Sequence, residues 1–272
     1  MKSKQTENMF ETNKGAAMRT ERQTQIRELL TLEGDLRVEE LAQRLKVTSM
    51  TIRRDLKELE EQGLLLRTHG GCRIQAPMVR ELSFHEKDGL QASAKNAIAR
   101  AVAERLSAGM SVFLDTGTTM VHVARSLPRN LPLRIFTNNL RVAMELFGAE
   151  AIETNVLGGR LAAKSPDLVG EAGIANVQML RVDLAIVGAD AVDSGTGDFY
   201  SADMPTALFS RAAQGRAERC FLVADSTKFG KRGLAQAGRL ADSMTLFTDD
   251  GIGAADRKSL KALDIEMVLA TT

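Results

Sequence analysis

Cysteine is scarce in these 272 residues: only Cys72 and Cys220 occur, far apart and without CxxC or metal-ligand spacing. That excludes a disulfide framework and a zinc site and predicts two reduced thiols. Long apolar runs are also missing. Stretches such as Leu64–Leu66 and Ala185–Val187 fall far below the roughly 20 residues of a membrane-spanning helix. The first residues, with Lys2, Lys4, Glu7, Glu11 and Lys14 among polar neighbours, show no apolar leader, so a cytoplasmic protein is expected. Neither GxGxxG nor GxxxxGK[ST] occurs, which leaves dinucleotide and Walker-type nucleotide binding unsupported. There is no internal repeat or low-complexity tract. What remains, 44% hydrophobic and 26% charged residues, is a composition that builds a core. At roughly 100–200 residues per domain the length predicts one or two domains.

Excess charge of one sign is absent too, with 36 Lys+Arg against 35 Asp+Glu. The average conceals a local cluster. Residues 44–57 hold Arg44, Lys46, Arg53, Arg54 and Lys57 against Asp55 alone, while Glu58, Glu60 and Glu61 follow. A short basic run serves equally as a solvated helix face or as a nucleic-acid contact, and its surroundings decide.

Those surroundings have a definite order. Ile26, Leu29, Leu30 and Leu32 follow helical spacing up to Gly34, which predicts a first helix over 20–32. Val38, Leu41, Ala42 and Leu45 form a second, shorter stripe. Thr48 and Ser49 can then cap a third helix that stops at Gly63, with Ile52, Leu56, Leu59 and, beyond the stop, Leu64 expected to face inward. On its other face Met50, Arg53, Arg54 and Lys57 stand three or four residues apart, with Ser49 and Thr51 at its start. Leu64–Arg73 then read as a short strand, a Gly70–Gly71 turn and a return strand. Three helices and a β-hairpin make a winged helix-turn-helix. In that arrangement the third helix enters the major groove, where arginine bonds guanine edges, while Arg67, His69 and Arg73 of the wing reach phosphates.

The remainder alternates. Apolar, β-rich runs at Ser111–Leu114, Leu133–Thr137, Ile152–Leu157, Leu184–Val187, Cys220–Ala224, Met244–Thr248 and Glu266–Ala270 are separated by helical patterns. The patterns lie at Ala94–Ala108, Thr118–Ser126, Asn139–Phe147, Pro205–Gln214 and Ala254–Ala262. This predicts a doubly wound α/β domain with a largely parallel sheet, whose ligands bind beyond the carboxyl ends of the strands. The residues there are Asp115-Thr116-Gly117-Thr118-Thr119, Thr137-Asn138, Gly158-Gly159-Arg160, Gly188-Ala189-Asp190 and Ala224-Asp225-Ser226-Thr227-Lys228. A glycine with hydroxyls at a helix N-terminus offers N–H donors and a favourable dipole to a phosphate, and Lys95 or Lys228 would neutralise it. The same residue types also serve as ordinary caps and turns, and residue chemistry alone leaves both readings open. His85 and His122 lack carboxylates or cysteines at ligand spacing, so neither a metal site nor a cofactor is indicated.

Thr51 to Gly71, TIRRDLKELEEQGLLLRTHGG, resembles the signature of the DeoR-type transcriptional repressors. The larger half resembles that family's sensor domain through Lys95, the DTGTT loop (Asp115, Gly117, Thr118, Thr119), Thr137-Asn138, Gly158-Gly159-Arg160, Gly188-Ala189-Asp190 and Ala224–Gly230. The resemblance implies a domain similar in fold to ribose-5-phosphate isomerase that senses a phosphorylated sugar, with DTGTT as the phosphate-binding turn. One departure stands out. Family members commonly carry a glutamate at the start of the helix after the fourth strand, where this chain has Thr206, with Asp203 nearby. A hydroxyl cannot be the carboxylate base of an aldose–ketose isomerisation, which counts against catalysis.

The expected organisation is a tail over 1–18, a winged helix over 19–73, a linker over 74–93 that has room for a short helix, and a sensor domain over 94–272. The expected function is a DNA-binding regulator, by resemblance a repressor of a carbohydrate operon. Its expected partners are double-stranded operator DNA, a phosphorylated sugar or polyol, and further copies of itself as a homodimer or homotetramer. The alternative is a sugar-phosphate isomerase-like enzyme with a DNA-binding appendage.

Overall fold

A computed structural model describes residues 19–27, 29–30, 36–61, 64–68, 71–74, 82–241 and 243–272. The expected tail over 1–18, the helix stops at Gly34 and Gly63, and His69 and Gly70 of the wing lie outside the described residues. The chain divides into two compact units, Met1–Pro77 and Met78–Thr272.

The first unit holds helix α1 (helical at residues 19–27 and 29–30), strand β1 (Leu36–Arg37), α2 (Val38–Arg44), α3 (Ser49–Glu61), β2 (Leu65–Thr68) and β3 (Gly71–Ile74). The stripe expected on the third helix is observed: Ile52, Leu56 and Leu59 are buried against Ile26, Leu30, Leu41 and Leu65. Between α2 and α3 the chain reverses through Lys46, whose φ is 52°. The N–H of Val47 reaches the Ala42 carbonyl and that of Lys46 the Gln43 carbonyl, so the last turn of α2 is closed without a glycine. The three strands pair antiparallel in the order β1-β3-β2, and β1 has no counterpart in the sequence reading. Gly71, expected in the turn, instead sits in β3, paired with Thr68 on one side and Arg37 on the other.

In the second unit come α4 (Phe84–Asp88), α5 (Ala92–Ala103), β4 (Ser111–Leu114), α6 (Thr118–Ser126), β5 (Leu133–Thr137), α7 (Leu140–Leu146), β6 (Ile152–Val156), β7 (Arg160–Leu161), β8 (Leu168–Val169) and α8 (Glu171–Gln178). They are followed by β9 (Val182–Gly188), β10 (Ala191–Val192), β11 (Asp198–Ser201), α9 (Met204–Gln214), β12 (Ala217–Val223), β13 (Ala235–Arg239), β14 (Met244–Asp249), α10 (Ala254–Ala262) and β15 (Glu266–Ala270). Seven strands form one parallel sheet in the order β15-β14-β12-β9-β4-β5-β6. All seven lie on the apolar runs of the sequence. Both faces are buried, so successive residues serve opposite cores: Leu184 and Ile186 pack with α5 and α6, Ala185 and Val187 with α8 and α9.

The chain winds outward from β4 to β6, then crosses back and winds outward the other way from β9. The carboxyl ends of β4 and β9 therefore lie side by side at the point where winding reverses, the crevice in which open α/β sheets bind ligands. Two smaller sheets, β10-β11-β13 and β7-β8, complete the unit. The stretch expected as linker contributes α4, which belongs to this unit: Ser83 and Glu86 form a capping box and Phe84 enters the core beside α5 and α6.

Candidate functional site

The first unit presents one basic surface. Thr48 caps α3 through its hydroxyl, which accepts from the Thr51 N–H at 3.2 Å. Met50 is 77% exposed at the tip of the helix, and the Arg53, Arg54 and Lys57 side chains are more than half exposed. Their acidic neighbours Glu39, Glu58 and Glu61 stand 3.5–3.8 Å away, surface pairs worth about 0–1 kcal/mol that a phosphate can displace. Met50, Thr51, Arg53, Arg54 and Lys57 share a shallow cleft with Arg67 of β2 and with Arg19 and Arg22 of α1. Ser49 opens α3 half-buried, and Arg73 takes its place in β3 opposite Leu66.

Asp55 would weaken this surface if it faced outward, and it does not. It is 1% exposed, gripped by Arg22 through Nε at 2.5 Å and Nη2 at 3.1 Å. The pair raises the Arg22 pKa further above its ordinary value. Sequence reasoning missed Arg22, although the signal was present: Asp55 follows Ile52 by three and precedes Leu59 by four, inside the apolar stripe, where a carboxylate requires a cation.

In the second unit a cavity of about 350 Å³ opens at the switch point. The chain leaves β4 and turns through Gly117, at φ 96°, a conformation that a Cβ disfavours. It then enters α6 with Thr118 and Thr119 in the cavity wall. Lys95 comes from α5 and Lys228 from the turn after β12; Lys87 of α4, Lys164 and Lys231 join them. Asp190, beyond β9, receives Lys87 Nζ at 2.7 Å on one oxygen and the Ala202 N–H at 3.0 Å on the other. Burial opposes ionisation of Asp190, but the charge and hydrogen bond of Lys87 prevail and hold its pKa below the usual carboxylate range. Lys95 donates to the Lys87 carbonyl at 2.6 Å, and burial lowers its pKa to about 8 against the opposing charge of Asp225.

Of the residues read from the sequence as ligand contacts, the fold brings together Lys95, Gly117, Thr118, Thr119, Asp190 and Lys228. Asp115 lies among them in sequence but is wholly buried, and burial pushes its carboxyl up to about 7 against hydrogen bonds from the Thr116 N–H and the Ser210 hydroxyl. Thr137, Asn138, Gly158 and Gly159 do not line the cavity. The Thr137 hydroxyl accepts from the Asn139 N–H, and the Asn138 amide donates to the Leu168 carbonyl, so both organise the loops behind it. Gly159 passes so close to β8 that a Cβ there would lie 2.7 Å from the Val169 carbonyl oxygen, and Gly158 lies just before it. His122 is a packing residue, with Nδ1 2.6 Å from the Asn96 amide oxygen. Lys87 and Asp167 are lining residues that the sequence reading missed. The capping box before Lys87 was legible, whereas Asp167 follows no pattern.

A winged helix-turn-helix with a basic third helix, on a chain that also carries a parallel-sheet unit with a polar cleft at its switch point, defines a transcriptional regulator of the two-unit kind. Residues 22–77 match the DeoR-like helix-turn-helix domain and residues 90–250 the DeoR C terminal sensor domain. The chain belongs to the DeoR family. It is 35% identical over 248 residues to the HTH-type transcriptional repressor CsqR of Escherichia coli, covering 91% of this chain and 94% of that one. It is 35% identical to the glycerol-3-phosphate regulon repressor of the same organism, covering 85% and 90%. It is 32% identical to the lactose phosphotransferase system repressor of Streptococcus mutans, covering 84% and 91%. Among solved structures, ribose 5-phosphate isomerase A from Methanocaldococcus jannaschii aligns over 50% of this chain and 53% of that one, at 19% identity and a TM-score of 0.37. No described helix is long and apolar enough to cross a membrane.

Proposed function

We propose that the protein represses a carbohydrate operon and that a phosphorylated sugar or polyol, bound in the cleft of the second unit, changes its affinity for operator DNA. In this reading α3 lies in the major groove, with Ser49, Met50 and Thr51 at its entry. Arg53 and Arg54 meet guanine edges, Lys57 meets phosphate, and Arg67, His69 and Arg73 of the wing track the backbone. The effector's phosphate sits against the N–H groups of Thr118 and Thr119, with Lys95 and Lys228 as counter-charges and Asp190 accepting from hydroxyls. Asp115 underlies that turn, and Thr137, Asn138, Gly158 and Gly159 support it from behind.

The observation that carries the reading is the convergence of a helix N-terminus and two lysines at the sheet's switch point. The relatives named as repressors of a glycerol-3-phosphate regulon and of a lactose phosphotransferase system support the same reading. A role without catalysis is supported by Asp203, whose two oxygens are held by the N–H and hydroxyl of Thr206 at 2.8 and 2.9 Å, leaving it a helix cap rather than a base. Assembly as a homodimer or homotetramer is part of the proposal, since repeated operator half-sites multiply phosphate contacts.

A thermal-shift screen of sugar, amino-sugar and polyol phosphates, beside their unphosphorylated parents, tests it. A ligand at 100 times its Kd adds about 2.7 kcal/mol of stability. A phosphate-dependent shift supports the sensor; no shift across the panel returns the DTGTT loop to a cap alone.

A further inference from the structure

Four carboxylates line the cleft, and among them one buried oxygen stands without a donor in the described residues. Asp190 holds Lys87 and the Ala202 N–H, Asp203 holds both donors of Thr206, and Asp225 accepts from the N–H and hydroxyl of Thr227. Asp167 differs. It is only 3% exposed, it lines the cleft, and its buried Oδ1 has no hydrogen-bond partner among the described residues.

The loop that carries Asp167 is anchored by main-chain hydrogen bonds and by Asn138, and none of these uses Oδ1. The N–H of Leu168 donates to the Asn138 carbonyl, that of Leu140 to the Pro166 carbonyl, and that of Ala162 to the Asp167 carbonyl, while the Asn138 amide donates to Leu168. A buried acceptor with no donor is costly, and native structures retain one where something else supplies the donor. A phosphate group does not: it is an acceptor with the same sign of charge. A hydroxyl does, as an uncharged donor that restores the missing hydrogen bond.

We propose that Asp167 is a specificity-determining residue of the cleft, its Oδ1 accepting a hydrogen bond from a hydroxyl of the bound sugar or polyol phosphate. This deepens the sensor reading and rests on it. The phosphate is the work of the α6 turn, Lys95 and Lys228; the carbon skeleton is read by Asp167. Burial pushes the Asp167 carboxyl up to about 6, against the Ser165 hydroxyl and the charge of Lys87, so it is mostly ionised and accepting at neutral pH.

The test is titration calorimetry on the full chain with inorganic phosphate, glycerol 3-phosphate, fructose 6-phosphate and glucosamine 6-phosphate as probes. We expect at least one ester to bind the unaltered protein ten times more tightly than inorganic phosphate. Asp167→Ala should reduce that preference below threefold while leaving inorganic phosphate within twofold. Melting temperatures check that the variant folds, and Asp167→Asn serves as a second variant of the same size. A preference that survives both substitutions overturns the inference, as does phosphate binding with no preference for any ester. If no probe binds at all, the sensor reading itself fails and takes the inference with it. Tighter binding of the amino sugar than of fructose 6-phosphate, lost in Asp167→Ala, supports the assignment with an ammonium as the donor.

Discussion

Asp115 couples stability to pH through one buried side chain. The folded protein keeps its proton up to about pH 7, whereas an unfolded chain releases it near pH 4. Its contribution to stability is therefore fullest below about pH 4 and is lost as pH rises through 7. Asp167, pushed up to about 6, acts in the same direction. Asp115→Asn should raise the melting temperature at pH 8, with the gain shrinking toward pH 4; melts followed by circular dichroism across that range check it, and a constant gain would contradict it. The pair Arg22–Asp55 makes the opposite case. Arg22→Ala leaves a carboxylate that is 1% exposed without its cation, which should cost roughly 3–5 kcal/mol in urea titrations. At the exposed face, Arg53→Ala or Arg54→Ala should cost roughly 1–3 kcal/mol of operator affinity and relax base preference at one position, while Lys57→Ala should weaken all sequences alike and reduce the salt slope. Competition assays with permuted operators separate the two behaviours. The exposed cations were legible because helical spacing separates Arg53 and Lys57 from Ile52, Leu56 and Leu59. The inward turn of Asp55 is the consequence of the same spacing, but its partner lies on another helix, 33 residues away.

Elements differ in how far they declare themselves. The seven sheet strands are readable because both of their faces are buried, so each is a continuous apolar run between polar turns. Helices α6 and α10 coincide with their expected spans for a related reason, an apolar stripe with a defined start. Strands β1, β7, β8 and β10 are two residues long, too short for any period, and exist because a partner strand is there to receive them. Helix α4 is five residues long, yet its Ser83–Glu86 capping box marks it in the sequence. The start of α6 yields a prediction at this scale. Gly117 is at φ 96° with open space where a Cβ would go, so Gly117→Ala is penalised by backbone conformation alone, by about 1–2 kcal/mol. It should also misdirect the Thr118 and Thr119 N–H groups, so the phosphate-dependent thermal shift falls while operator affinity without effector is retained. A full-sized shift in this variant would place the phosphate elsewhere.

At the scale of the molecule, two units with separate cores predict two unfolding events. The first unit rests on a small cluster around Ile52, Leu56 and Leu65, and small cores are marginal. Leu56→Ala should cost about 2–5 kcal/mol and lower its transition in calorimetry, leaving that of the larger unit in place. A phosphorylated effector should raise the transition of the larger unit directly. A single cooperative transition shifted by both would show that the units unfold together. The winged helix, the alternation of strands and helices and the family are all legible along the chain, because they rest on local periodicity, capping and contiguous motifs. Tertiary structure decided which polar residues meet. Winding that reverses between β4 and β9 brings Lys87, Asp167 and Asp190 to one cleft across a hundred residues of chain, and it turns Thr137, Asn138, Gly158 and Gly159 away to support it. Convergence of that kind is set by strand order, which no local pattern encodes.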